Sequence, residues 1–202
     1  MSVNLQKGQK VSLTKGDPSL SRIVVGLGWD AAERKSGGFL AGLFGGKSVS
    51  NIDCDASVFM LNQNGRLLGN KSVVYFGNLR SSCGGVVHTG DNLTGDGDGD
   101  DEQIIVELSK INPNIHRLLF TVNIYDCISR KQDFGMIRNA YIRVVDGKTN
   151  KELIKYNLSD DYNGRTSLMV GELYRHDGEW KFSALGEGTN DTGLQDIANR
   201  LR

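Results

Sequence analysis

Proline is nearly absent from this chain, with two residues in 202, and cysteine is represented by only Cys54, Cys83 and Cys127. Three cysteines in unrelated contexts, without a Cys-x-x-Cys pair, argue against a disulfide framework and against a zinc site, and they favour a reducing compartment. No apolar run approaches the ~18 residues of a membrane span, and the N-terminus shows no charged-then-apolar leader. The expected location is therefore the cytoplasm, with a peripheral position at the inner membrane as a further expectation. Lys and Arg are scattered singly, with no basic–aromatic cluster, which speaks against nucleic-acid binding.

Short segments rich in β-branched and aromatic residues fill most of the chain. They are 22–29, 54–61, 72–76, 103–108, 117–125, 140–146, 152–158, 167–175 and 180–185, and several alternate in polarity. Asn64-Gly65, Asp146-Gly147, Asn163-Gly164 and Asp177-Gly178 supply turn signals between them. Strands this short and regularly spaced, in a chain with 26 glycines, predict an all-β fold, a two-sheet β-sandwich. One short helix is expected at the C-terminus. Leu194, Ile197, Ala198 and Leu201 have helical spacing, and Thr192 and Gln195 stand at capping-box distance. No repeat or linker divides the chain, so 1–202 is read as one domain. The glycine-rich apolar stretch "KSGGFLAGLFGGKS" (35–48) is an insertion between two strands.

The segment "HTGDNLTGDGDGDDE" (88–102) holds six carboxylates, Asp91, Asp96, Asp98, Asp100, Asp101 and Glu102, interleaved with glycine and without a basic residue. The remaining residues then carry 24 bases against 24 − 6 = 18 acids. Two unit charges ~6 Å apart in water repel by roughly 0.7 kcal/mol, so such a loop resists compaction unless a cation sits among its oxygens. Calcium accepts six to eight oxygen ligands in irregular geometry, and Asp-Gly alternation offers short carboxylates together with backbone carbonyls. An EF-hand beginning at Asp96 fails at its sixth position, where Asp101 replaces the required glycine, and the flanks read as strand. Asp53 and Asp55 stand two apart, on one face of an extended chain, and their mutual repulsion also calls for a partner. Together the eight carboxylates balance more than one divalent ion.

Other motifs carry less. "AGLFGGKS" (41–48) fits the loose phosphate-loop pattern, but no helix signal follows it, so nucleotide binding is not expected. "DFG" (133–135) lacks every companion of a kinase site. Cys83 and His88 are close in sequence without an orienting third group. No catalytic constellation emerges, and the chain is expected not to be an enzyme.

The motifs "VGLGWD" (25–30), "DCDAS" (53–57), "VVHTGDNLTGDGDGDDE" (86–102), "FTVNIYD" (120–126), "NAYIRVVD" (139–146) and "GELYRHDGEWKF" (171–182) together resemble the TerD family of tellurite-resistance and bacterial stress proteins. The resemblance spans nearly the whole chain. The insertion makes the link from "GWD" to "DCDAS" longer than in many members and is similar to that of the TerZ branch, whereas the C-terminal half is closer to TerD itself. The resemblance implies a calcium-binding, non-catalytic sandwich, with two Ca2+ ions as the expected cofactor. It places the metal ligands at Asp30, Asp53, Asp55, Asp91, Asn92, Asp96, Asp98, Asp100, Asp101 and Glu102. Calcium ordering the acidic loop would create a recognition surface for other stress-response proteins or for a membrane. Phe39, Leu40, Leu43 and Phe44 form the candidate apolar contact. The rival expectation is a metal-dependent hydrolase using two ions in the same carboxylates.

Overall fold

The computed structural model describes residues 2–31, 52–90 and 99–202. Its strands, in chain order, are β1 (Val3–Leu5), β2 (Lys10–Ser12), β3 (Arg22–Ala31), β4 (Cys54–Leu61), β5 (Val73–Val74), β6 (Val86–His88), β7 (Glu102–Glu107), β8 (Arg117–Ile124), β9 (Ile137–Asp146), β10 (Glu152–Asn157), β11 (Ser167–His176) and β12 (Glu179–Thr189). Two short helices, α1 (Cys127–Arg130) and α2 (Leu194–Arg200), complete them. The strands form two six-stranded sheets, ordered β1-β10-β9-β3-β7-β6 and β2-β12-β11-β8-β4-β5. The expected two-sheet sandwich is the fold.

The core follows from strand alternation. In β7, Glu102, Ile104 and Val106 are buried while Gln103, Ile105 and Glu107 are less so. Ile23, Val25 and Leu27 of β3 meet Val58, Met60, Phe120 and Phe182 of the opposite sheet in one apolar cluster. Strand β4 is buried at every position, because its second face is covered as well. There Phe59, Leu61, Leu119 and Met169 pack with Ile197 and Ala198 of α2. The C-terminal helix thus lies on the outside of the second sheet, and burying Ile197 contributes about 2 kcal/mol.

Several turns follow the expected chemistry. Asp177 and Gly178 both have positive φ (52° and 76°), the conformation a type I′ turn needs to join β11 to β12. The cap of α2 differs from the expected box. Gly193 is the N-cap residue, and the Asp196 carboxylate accepts from both the amide and the hydroxyl of Thr192 (3.0 and 2.7 Å). Asp196, not Gln195, closes the reciprocal bond. The segment 72–76 pairs only at Val73–Val74, since Tyr75 turns back to bridge Asn78.

Candidate metal centre

The end of β3, the start of β4 and the start of β7 meet at one end of the sandwich. Pairing between β3 and β7 sets Leu27 opposite Glu102, so Trp29 and Asp30 extend past the point where β7 begins. Glu102 faces inward and crosses to the other sheet. Its Oε2 accepts from the Ala56 backbone amide (2.7 Å) and lies 3.3 Å from His88 Nε2. The Gly90 amide donates to His88 Nδ1 (3.1 Å). That contact makes Nδ1 the acceptor and puts the ring proton on Nε2, directed at Glu102. Both histidine nitrogens are therefore used, and neither is left to activate Cys83.

The carboxylates concentrate around Cys54. This buried thiol has its pKa raised well above the usual value, first by burial and then by the negative charges of Asp55, Asp53, Glu102 and Asp101. Four of the sequence-identified acids thus act on one point in the core. Asp55 is buried and half-buried Asp53 lies at the mouth, its Oδ2 3.6 Å from Arg130 Nη1. Arg130 in turn stacks over Tyr125, 5.1 Å from the ring centroid. Asp101 Oδ2 accepts from the Trp29 amide (2.7 Å), and Asp30 Oδ2 accepts from Asn139 Nδ2 (2.7 Å). Asn139 sits in the left-handed region (φ 54°), opposite an irregularity in the β3–β9 pairing between Gly28 and Asp30.

Asp100 is placed differently. Its side chain is fully buried on the outer face of the first sheet, held by Arg143 Nε and Nη2 (2.7 and 3.0 Å) and by Gln103 Nε2 (3.0 Å). Tyr141 donates its hydroxyl to Asp100 and to the Gly99 carbonyl. Burial, followed by the Asp100 charge, raises the Tyr141 pKa above its ordinary value. A guanidinium supplies here the positive charge that the sequence reading assigned to an ion.

Asp91, Asn92, Asp96 and Asp98 lie outside the described residues, as do Phe39, Leu40, Leu43, Phe44 and the phosphate-loop-like stretch. Among the described residues no three His, Cys, Asp or Glu side chains close around one metal position. The carboxylates of the described residues are instead spread over several strand ends. Sequence reasoning missed Arg130 and Arg143, whose partners lie far away in the chain. It also left Glu102 as one loop acid among six, although its place at a strand start marks it as the inward-facing member. Asp133 of the "DFG" triplet caps a short turn through the Gly135 amide (2.7 Å).

The TerD domain family matches residues 1–201 of the chain. The chain belongs to the TerD family. Stress response protein SCP2 of Bacillus subtilis is 60% identical over 200 residues, covering 99% of each chain. Tellurium resistance protein TerD of Serratia marcescens is 43% identical over 188 residues, 93% of this chain and 91% of that one. In fold the chain is similar to a Streptomyces coelicolor homologue of telluride resistance protein TerD, with a TM-score of 0.62 at 23% identity over 86% of this chain and 92% of that one. This TerD-family member is accordingly a stress-response and tellurium-resistance protein. No helix among its described residues is long and apolar enough to cross a membrane.

The three thiols of this TerD protein differ sharply. Burial pushes the partly exposed Cys83 upward, but hydrogen bonds from Ser81 and from the backbone at Gly85 and Asn112 outweigh it and leave its pKa lowered. Burial raises both Cys54 and Cys127. Brief alkylation of the native protein with iodoacetamide, read by peptide mass spectrometry, is expected to label Cys83 first and to leave Cys54 last. Labelling of Cys54 as fast as Cys83 would mean that the carboxylate-rich end opens readily.

Proposed function

We propose that this chain is a calcium-binding, non-catalytic module of a bacterial stress-response and tellurite-resistance system, acting in the cytoplasm. The supporting observation is the placement of Asp53, Asp55, Asp101 and Glu102 at the neighbouring ends of β3, β4 and β7, where Asp101 accepts from the Trp29 amide and Glu102 from the Ala56 amide. These carboxylates, with Asp91, Asn92, Asp96 and Asp98 of the acidic loop and Asp30 at the rim, supply the hard oxygen donors that two calcium ions prefer. Bound calcium would offset repulsion within the loop and fix it as a surface for other stress-response proteins or a membrane, aided by the apolar tip at Phe39, Leu40, Leu43 and Phe44. Calcium also competes with Arg130 for Asp53, so Arg130 changes partner when the ion arrives.

Calorimetric titration of metal-stripped protein tests this reading. About two calcium ions are expected, with magnesium bound far more weakly. Calcium at about 100 times its dissociation constant stabilises by about 2.7 kcal/mol, which raises the melting temperature by roughly 5–10 °C in a chain of this size. The Asp53→Asn/Asp55→Asn variant should lose most of that rise. Silent calcium titrations would end the proposal, and a preference for magnesium or manganese would favour the two-ion hydrolase instead.

A further inference from the structure

On the flank where β5 and β6 are the outermost strands of their sheets, the chain between β4 and β6 (62–85) forms a strap. Leu67 bridges to Leu61 at the end of β4, and the Leu68 amide points to the Met60 carbonyl (3.5 Å). After β5 the chain reverses in a two-residue turn. Tyr75 and Asn78 exchange both backbone bonds (3.2 and 2.8 Å), which leaves Phe76 and Gly77 at the tip. The strap then reaches the first sheet, where Arg80 bridges to Val87 and the Leu79 carbonyl accepts from the His88 amide (2.9 Å). It thus lies across the flank from one sheet to the other, and its exposed side chains project from that flank.

Three of them are large and apolar. Turn tips usually carry Gly, Asn, Asp, Ser or Pro, yet the first tip residue here is Phe76, 43% exposed and set edge-on to Tyr75 with ring centroids 5.4 Å apart. Leu68 and Leu79 are as open, at 43% and 44%. These three are half of the large apolar side chains exposed among the described residues.

The charge on the strap has one sign. Between Asp55 and Asp91 the sequence holds no Asp or Glu, whereas Arg66, Lys71 and Arg80 all fall there. All three bases are exposed, and none forms an ion pair among the described residues. Exposed bases elsewhere do find partners, as Lys7 does in Asp160 and Arg200 in Asp191.

This mixture selects among occupants. The centre of a protein–protein interface is depleted of charge, but here Leu68 stands between Arg66 and Lys71, and Leu79 is next to Arg80. A soluble anion would leave the apolar side chains uncovered, and a neutral bilayer would leave the bases without counter-charge. An anionic bilayer answers both. Aliphatic and aromatic side chains enter its acyl boundary, while Arg and Lys stay among the headgroup phosphates.

We propose that this strap docks the protein on an anionic lipid surface, with Leu68, Phe76 and Leu79 entering the boundary and Arg66, Lys71 and Arg80 meeting lipid phosphates. No carboxylate of the metal centre takes part. Docking therefore needs no calcium, and it stands or falls apart from the calcium reading.

Vesicle flotation with metal-stripped full-length protein, kept in chelator, tests this. Binding is expected to vesicles of equal parts phosphatidylglycerol and phosphatidylcholine but not to phosphatidylcholine alone, and it should fall steeply as salt rises from about 0.1 to 1 M. Arg66→Gln/Lys71→Gln/Arg80→Gln should weaken it about a hundredfold, and Phe76→Ser/Leu79→Ser about tenfold. These are surface changes, so melting should hardly move. A Phe76→Trp variant gives a second reading. Both native tryptophans are buried, so a blue shift of emission on anionic vesicles reports entry of the added indole into lipid. The proposal fails if anionic vesicles bind no more protein than neutral ones, or if both multiple variants bind as the parent does. Binding that appears only with calcium would overturn it by placing the contact at the acidic loop. So would lipid-free self-association that the strap variants abolish, since the strap would then face a second copy.

Discussion

Replacing Glu102 with leucine is expected to cost about 4 kcal/mol of stability in metal-free protein. The Glu102 carboxylate is buried between the sheets, where it accepts from Ala56 and faces the Nε2–H of His88. Leucine fills the space but strands both donors in a core that water does not reach, and the His88 ring cannot change tautomer without turning a proton toward the Gly90 amide. Glu102→Gln retains an amide oxygen able to accept both contacts and should cost only about 1 kcal/mol. Urea denaturation of the two variants, with chelator present so that no ion contributes, separates these outcomes. A leucine variant as stable as the glutamine one would mean that the carboxylate does not tie the sheets together.

Gly26→Ala is the second large effect, at about 3 kcal/mol. A methyl group at this position would stand 2.1 to 2.4 Å from the Asp100 carboxyl oxygens. The carboxylate must then leave the Arg143 fork, the Gln103 amide and the Tyr141 hydroxyl together. Strand pairing forces the collision, since Gly26 lies opposite Arg143 on one side and Gln103 on the other. The loss belongs to one contact, so it should nearly vanish in an Asp100→Ala background, where the methyl group finds space. Denaturation midpoints of the single and double variants form the cycle, and a penalty that survives without Asp100 would place its cause in the backbone of β3.

The long strands were readable because burial on one or both faces imposes a pattern on the residues themselves. Segment 54–61 is the strand β4 at its full expected length, and 117–125 exceeds β8 by one residue. The edge strands β1 and β2 were not readable. "VNL" and "KVS" carry almost no pattern, and they are strands only because β10 and β12 offer free edges to them. The site divides in the same way. Asp53, Asp55 and the acidic loop stood out by local charge density. The ion pair of Asp100 with Arg143 depends on a strand register that no local pattern encodes, and so does that of Asp53 with Arg130. Which carboxylates meet an arginine is set by tertiary geometry, and composition alone does not show it.

The two edge strands also bear on how fast the molecule assembles. Val3 aligns in parallel with Ile154, and Lys10 aligns with Ser183. The early segment must close loops of roughly 150 residues or more to find its neighbours, and loop closure over such distances is slow. Until then the flanks of β10 and β12 are bare, and bare flanks invite pairing between separate molecules. Refolding at high protein concentration should therefore lose material to aggregation at this late step, and dilution should recover it.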